Sequence, residues 1–408
     1  MIDRQPQRQP QRYPRALAAL GAFLLPLGVV GIAGIVVLAL HALAFCRRAL
    51  PGEGRLLLAA LPLALLPIAA TLAFALEAGR APEGAAIGHV LGMAALLLIA
   101  PVAARRVVAQ AGAALLLWAF VLGAVGLAVS VFVDVALGWH HIPAGLYREG
   151  TLHNVTATVL VVGFAPALQL ASAGRARWAG ALAALTIAAG VVAALSWVGA
   201  LGLMAALLAF AALRWGVLGT IGGALTALAA AWLAWWSLAE GLWRGPAAAT
   251  LGEVLGARLR IIAQGLELAG ERPWLGWGWH LYDLRGPLGG AGLGIYHVDD
   301  LVLPHFHNLY VQTLFETGVL GLMALALWFG SLLLTQRGPW RAAASAALVG
   351  FLVTQLGDYL WQHATVVVSV TLVAMVGLAP ERAVLDGKAA SRSARAIDAT
   401  PSVRGGRV

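Results

Sequence analysis

ALAALGAFLLPLGVVGIAGIVVLALHALAF, residues 16–45, is an unbroken apolar block flanked by Arg4, Arg8, Arg12 and Arg15 on one side and by Arg47 and Arg48 on the other. A single membrane span needs about 20 residues, and basic residues hold flanking segments in the cytoplasm. The block is too long for one helix, and its two basic flanks belong on the same side. It therefore reads as two short helices in a hairpin, broken near Pro26–Gly31. A single span here would move every later loop to the opposite side of the bilayer.

Outward from the hairpin, apolar spans recur at 56–76, 86–104, 107–133, 154–172, 179–196, 199–213 and 217–238, and then at 308–334, 342–357 and 364–380. The sum is about twelve membrane helices with both termini cytoplasmic. This assignment puts 20 of the 27 Lys and Arg residues inside and 7 outside, and a single first span would invert that bias. Of the 408 residues 61% are hydrophobic and 11% charged, and the mean hydropathy is +0.85, too little charge for a water-soluble domain. Long continuous runs, not short alternating ones, give an all-α polytopic membrane protein and exclude a β-barrel. The net charge of +9 and pI near 10.7 follow from basic cytoplasmic loops and tails, so no nucleic-acid partner is expected. The one cysteine, Cys46, excludes an internal disulfide.

The chain divides into a basic cytoplasmic tail (1–15), membrane helices 1–9 (16–238), a long outer loop (239–307), membrane helices 10–12 (308–380) and a small, polar, disordered cytoplasmic tail (381–408). The outer loop carries Arg244, Arg258, Arg260, Arg272 and Arg285, against the inside bias, and His280, His297, His305 and His307. Within it, LGEVLGARLRIIAQGLELAGERPWLGWGW (251–279) reads as an amphipathic helix ending near Pro273, with Ile261, Ile262, Leu266 and Leu268 as its apolar members. Trp274, Trp277 and Trp279 then suit the membrane interface. Just past the loop, LPHFHNLYVQTLFETGVLGL (303–322) sets two histidines and an asparagine directly before an apolar run. Asn308 makes a good helix N-cap. Glu316, nine residues beyond His307, falls about 900° around a helix, away from that histidine, and reads as a buried hydrogen-bonding residue that fixes the loop. Asp134 and Asp358 are expected to be exposed at outer helix ends, His140 and His141 to sit at the interface beside Trp139, and the sequon letters at Asn154 carry no weight.

Two blocks resemble the superfamily of O-antigen ligases, O-antigen polymerases and bacterial protein O-oligosaccharyltransferases. RLRIIAQGLELAGERPWLGWGW (258–279) is similar to the family's arginine, short amphipathic helix and Arg-Pro-x-x-Gly-x-Gly. HFHNLYVQTLFETGVLGL (305–322) is similar to its His-Asn, seven residues, Glu-x-Gly-x-x-Gly at the head of a late helix. YREGTLHNVTATVLV (147–161) gives a third match, Arg-x-Gly-x-x-x-Asn. The resemblance implies a glycosyltransferase of the bacterial inner membrane with a periplasmic site. Its donor would be a glycan on undecaprenyl diphosphate, and in the ligase branch its acceptor would be a lipid A–core sugar, in lipopolysaccharide biosynthesis. It implies His307 as the catalytic histidine, Arg258 on the donor diphosphate and Arg148 as the third block's arginine. The chain departs from the family at LSWVGALGL (195–203), where Trp197 stands in place of an arginine, leaving Arg260, Arg148 or Arg244 to substitute.

The chemistry suits these residue types. A departing diphosphate gains negative charge that guanidinium groups stabilise, and an attacking hydroxyl must lose a proton that a neutral imidazole can take. His305, Asn308 and Glu316 take supporting roles. His297, Asp299, Asp300, His305 and His307 could ligate a divalent ion, but their spacing matches no recognised site, and no metal or cofactor is expected. Polymerase and protein O-oligosaccharyltransferase activities use the same chemistry. A transporter or lipid flippase is the alternative from another class and would place its charges inside the spans.

Overall fold

The protein's computed structural model describes residues 12–46, 49–77, 79, 84–138, 153–172, 176–239, 251–279, 297–298, 301–302 and 305–379. Arg148, Arg244, Arg285, His140, His141, His280, Asp299, Asp300 and the C-terminal tail lie outside them.

The described chain is all-helical apart from a minimal hairpin. Helices α1 (Arg12–Leu24) and α2 (Gly31–Phe45) form the expected hairpin, joined through a 3-10 turn at Gly28–Val30. There follow α3 (Glu53–Glu77), α4 (Gly84–Ala111), α5 (Ala113–Leu137), α6 (His153–Ser172), α7 (Arg177–Ala193) and α8 (Trp197–Ala239). Inside α8, Gly216 takes φ 64° and breaks the helix, at the point where the sequence separates two spans. The amphipathic α9 (Leu251–Glu271) comes next, then β1 (His297–Val298) paired antiparallel with β2 (Leu301–Val302), His297 opposite Val302. Finally α10 (Leu309–Thr335), α11 (Arg341–Thr354) and α12 (Ala364–Gly377) close the bundle.

Among the described residues seven helices are long and apolar enough to cross a membrane, so the chain is a multi-pass membrane protein. Helices satisfy their own backbone, as hydrocarbon requires, and large apolar side chains such as Leu58, Leu182, Leu218 and Leu327 point outward where lipid would lie. Small residues let the helices approach closely. Gly202 on α8 and Gly350 on α11 are each so near the other's backbone that an added Cβ would sit 2.8–2.9 Å from the opposing carbonyl oxygen.

A close backbone joint lies where the segment after α9 meets α10. Gly318 adopts φ 65°, ψ −165°, which breaks α10 and frees the carbonyls of Phe315 and Glu316. The backbone N–H groups of Trp277 and Gly278 donate to those carbonyls at 2.8 and 2.9 Å, and Val319 N–H donates to the Pro273 carbonyl at 2.7 Å. The glycines of the Gly-x-Gly and Glu-x-Gly motifs thus interlock two backbones. Beside this joint Arg272 grips Glu77 of α3 through both Nη nitrogens at 2.7 and 2.9 Å and lies over the rings of Phe74 and Trp277. Trp274 stays exposed (68%), but Trp279 is buried, so the tryptophans do not form one interfacial row. Asp134 is also buried, not at a wet helix end.

Candidate functional site

The head of α10 is built first. Asn308 caps the helix, its side-chain oxygen accepting from the N–H groups of Tyr310 and Val311 at 2.9 and 3.0 Å. Its amide donates to the Leu356 carbonyl at 2.9 Å, which ties the cap to the segment between α11 and α12. Phe306, fully buried, packs with Ile261, Leu268, Val311 and Phe315, so the apolar face of α9 holds the His-Phe-His turn in place. Leu266 is half exposed and does not share that face. Glu316 (1% exposed) accepts from Gln312 Nε2 at 2.8 Å, and Gln312 in turn accepts from Phe306 N–H at 3.0 Å. Tyr359 Oη lies 3.4 Å from the other Glu316 oxygen. Glu316 therefore supports the loop that carries the histidines.

With Phe306 pinned inward, His305 and His307 meet edge-on, with ring centroids 4.2 Å apart. His307 Nδ1 lies 3.2 Å from Asp358 Oδ1. A carboxylate can only accept, so His307 carries its proton on Nδ1 and leaves Nε2 free as a base. His307 is 20% exposed and open to a substrate, whereas Asp358 is 4% exposed. The expectation of an exposed Asp358 is corrected: its backbone stretch turns back into the bundle between α11 and α12, and its donors are waiting there. Tyr359 N–H donates to Oδ1 at 2.8 Å and Asn154 Nδ2 to Oδ2 at 2.6 Å. Ser196 completes the chain by donating to Asn154 Oδ1 at 2.6 Å. Burial pushes the Asp358 carboxyl up, but the His307 bond and the charges of His307, His305 and Arg258 outweigh it and hold it below its ordinary value.

Among the described residues only Leu195 (φ 54°) and His307 (φ 50°) combine a positive φ with a side chain; His307 belongs to this cluster and Leu195 directly precedes its Ser196. Such strain persists where surrounding structure over-determines it, as functional sites do.

His305 accepts from His307 N–H through Nδ1 at 3.1 Å, so its own proton sits on Nε2. That bears on metal binding. His305, His307 and Asp358 can present ligand atoms within 4.8 Å of one another, a suitable donor set for a divalent ion. Ligation through His305 Nε2 would, however, require moving its proton to Nδ1 and orphaning the His307 backbone N–H. Asp358 Oδ1 is meanwhile already shared by two donors. The geometry fits an orienting carboxylate better than a metal clamp. Burial, then the charge of His307, push His305 from 6.5 down to about 3 against the pull of Asp358, with His363 and Arg258 adding to the fall. The unfolded chain takes up this proton near pH 6.5 and the folded chain only near 3. The stabilisation is therefore complete above 6.5 and lost as pH falls toward 3. Melting temperatures measured from pH 7 to pH 4 should drop, and His305→Gln should flatten that slope.

Arg258, on α9, lies 5.4 Å above the Trp197 ring centroid, and its charge is felt by both Asp358 and His305. Its Nη1 is buried without a hydrogen-bond partner among the described residues. Arg260, two residues on, is exposed and turns back toward Gly256, away from the cluster. The structure thus brings together His307, His305, Asn308 and Arg258, supports them with Glu316, and leaves Arg260 apart. Sequence reasoning missed Asp358, Asn154 and Ser196. Asn154 closes the Arg-x-Gly-x-x-x-Asn motif of the third matching block, the one signal that could have found it. Compared with known proteins, the chain matches no family model and no curated protein.

Proposed function

We propose that the chain is a glycosyltransferase of the bacterial inner membrane, of the O-antigen ligase type. It moves a glycan from undecaprenyl diphosphate to a hydroxyl of a lipid A–core sugar at the periplasmic face. The observation that carries the reading is the convergence, at one end of a membrane bundle, of an oriented imidazole base with a guanidinium whose Nη1 is buried and lacks a partner among the described residues. His307 Nε2 takes the proton of the acceptor hydroxyl as its oxygen bonds to the anomeric carbon. The bond to the diphosphate breaks, the leaving oxygen keeps the electron pair, and Arg258 neutralises the charge that develops there.

Sidedness supports the outer face. From His89, beside Trp279, α4 runs roughly 25 Å to Arg106 at about 1.5 Å per residue. By the same helix directions Arg55, Arg105, Arg177, Arg214, Arg337 and Arg341 collect at the end remote from His307. Basic residues mark the cytoplasmic end. Twelve crossings with both termini cytoplasmic are consistent with the two-part α8 and the α1–α2 hairpin.

The test is reconstitution in vesicles with a glycan on undecaprenyl diphosphate. Candidate acceptors are lipid A–core, a second lipid-linked repeat unit and a Ser/Thr peptide. Transfer to lipid A–core is expected, with losses of roughly 10²–10⁴-fold for His307→Ala and of comparable size for Arg258→Ala. Undiminished transfer by both variants would remove the assignment. Transfer only to another lipid-linked unit would make the protein a polymerase.

A further inference from the structure

An arginine close to a buried carboxylate ordinarily swings onto it as a two-pronged pair. Arg258 does not, and the structure shows two reasons. Both oxygens of Asp358 are already engaged, Oδ1 by His307 and the Tyr359 N–H and Oδ2 by Asn154. The guanidinium lies instead over the indole of Trp197, 5.4 Å from its ring centroid. Stacking occupies the flat face of a guanidinium and leaves its in-plane N–H groups free. Arg258 Nη1 is indeed buried and unpartnered among the described residues.

The indole is itself held. Its six-membered ring occupies a slot that exists because residue 357 is glycine: a Cβ there would come within 2.6 and 2.8 Å of Trp197 Cη2 and Cζ2. Trp197 opens α8 directly after Ser196, whose hydroxyl takes part in the Asn154–Asp358 chain and also accepts from Gly199 N–H at 3.0 Å. The left-handed turn at Leu195 sets this start. One short stretch, Leu195–Trp197, thus serves both the carboxylate and the arginine.

We propose that Trp197 is a positioning residue for the anion site. It carries Arg258 by its face, keeps the guanidinium from collapsing onto Asp358, and presents the free N–H edge to the phosphate oxygens of a lipid diphosphate. The inference rests on the reading of Arg258 as the diphosphate ligand. It explains how a site with tryptophan at this position holds its anion with a single buried guanidinium among the described residues.

The experiment measures binding and does not depend on transfer. Full-length protein in nanodiscs is titrated with undecaprenyl diphosphate, using wild type, Trp197→Phe, Trp197→Leu, Arg258→Ala and the Trp197→Leu/Arg258→Ala double variant. Melting temperatures check that each is folded. Trp197→Leu is expected to weaken binding by about 3–30-fold, the range of a partly desolvated cation–π contact, and Trp197→Phe by distinctly less. In the Arg258→Ala background Trp197→Leu should add nothing, since the two residues act as one unit. If Arg258→Ala weakens binding and Trp197→Leu does not, or if Trp197→Leu costs the same in both backgrounds, the positioning role is overturned while the arginine reading survives. If Arg258→Ala binds as wild type, both are overturned. If the expected pattern holds but no acceptor receives a glycan, the inference stands and the proposed reaction falls.

Discussion

Asp358→Asn is expected to lower the rate of the proposed glycan transfer by roughly 10²–10⁴-fold, the range associated with losing a general base. The substitution preserves volume, so the effect isolates hydrogen-bond polarity. Aspartate accepts from His307 Nδ1, Tyr359 N–H and Asn154 Nδ2 at once. Asparagine cannot, because one of its two arms is a donor. With its NH₂ toward Asn154, two donors face each other in a buried place. With its NH₂ toward His307, Nδ1 must become the acceptor and the proton moves to Nε2, the atom that should be receiving the substrate's proton. Either arrangement disables the base or breaks the Ser196–Asn154 link. The check is an initial-rate comparison at saturating donor alongside the melting temperature. A rate within twofold of wild type would show that His307 does not depend on the carboxylate. Asp358→Ala should cost stability as well, since each buried donor left without an acceptor is worth about 1–3 kcal/mol.

The largest effect on the fold is expected from Gly318→Ala. At φ 65°, ψ −165° the backbone occupies a region that belongs almost wholly to glycine, with a penalty of about 1–3 kcal/mol for any other residue. The added methyl would also run into the backbone of Trp274 and lie 2.6 Å from Leu275 N. The segment 273–279 must then withdraw and release its bonds to Phe315, Glu316 and Val319. Glu316 and Gln312, which hold Phe306 N–H, sit beside this joint, so the histidine turn should loosen too. Gly276→Ala meets the opposite wall of the same joint, at the backbone of Phe315 to Thr317. The two substitutions should therefore not add. Gly330, whose Cβ would face open space, serves as the control and should tolerate alanine. Thermal unfolding in detergent compares wild type, the three single variants and the Gly276→Ala/Gly318→Ala double. A Gly318→Ala melting curve matching that of Gly330→Ala would mean the joint is not structurally required.

Local patterns carried much of this molecule. The basic flanks of residues 16–45 implied the hairpin, the apolar members of 251–271 implied α9, and the position of Asn308 implied a cap. Each depends on neighbours within a few turns. Asp358 was read as exposed for the same reason: its near neighbours say only that a helix has ended. Its environment is made by Asn154, 204 residues away, and His307, 51 away, and hydropathy contains nothing of either pairing. Trp279 shows the same limit. Beside Trp274 and Trp277 it suits a membrane surface, but its backbone N–H donates to Thr71 of α3 and its ring lies against Tyr359 and His89. Leu266 failed in the other direction, since a helix face is assigned by its partner and α10 covers only part of α9.

The polar cluster draws on residues 154, 196, 258, 305, 307 and 358, so its parts emerge from the ribosome over half of the length of synthesis. A chain halted between His307 and Asp358 would hold most of the bundle's helices and a histidine without the carboxylate that orients it. If the proposed function holds, such a truncated chain should be an inert membrane passenger and not a weakened enzyme.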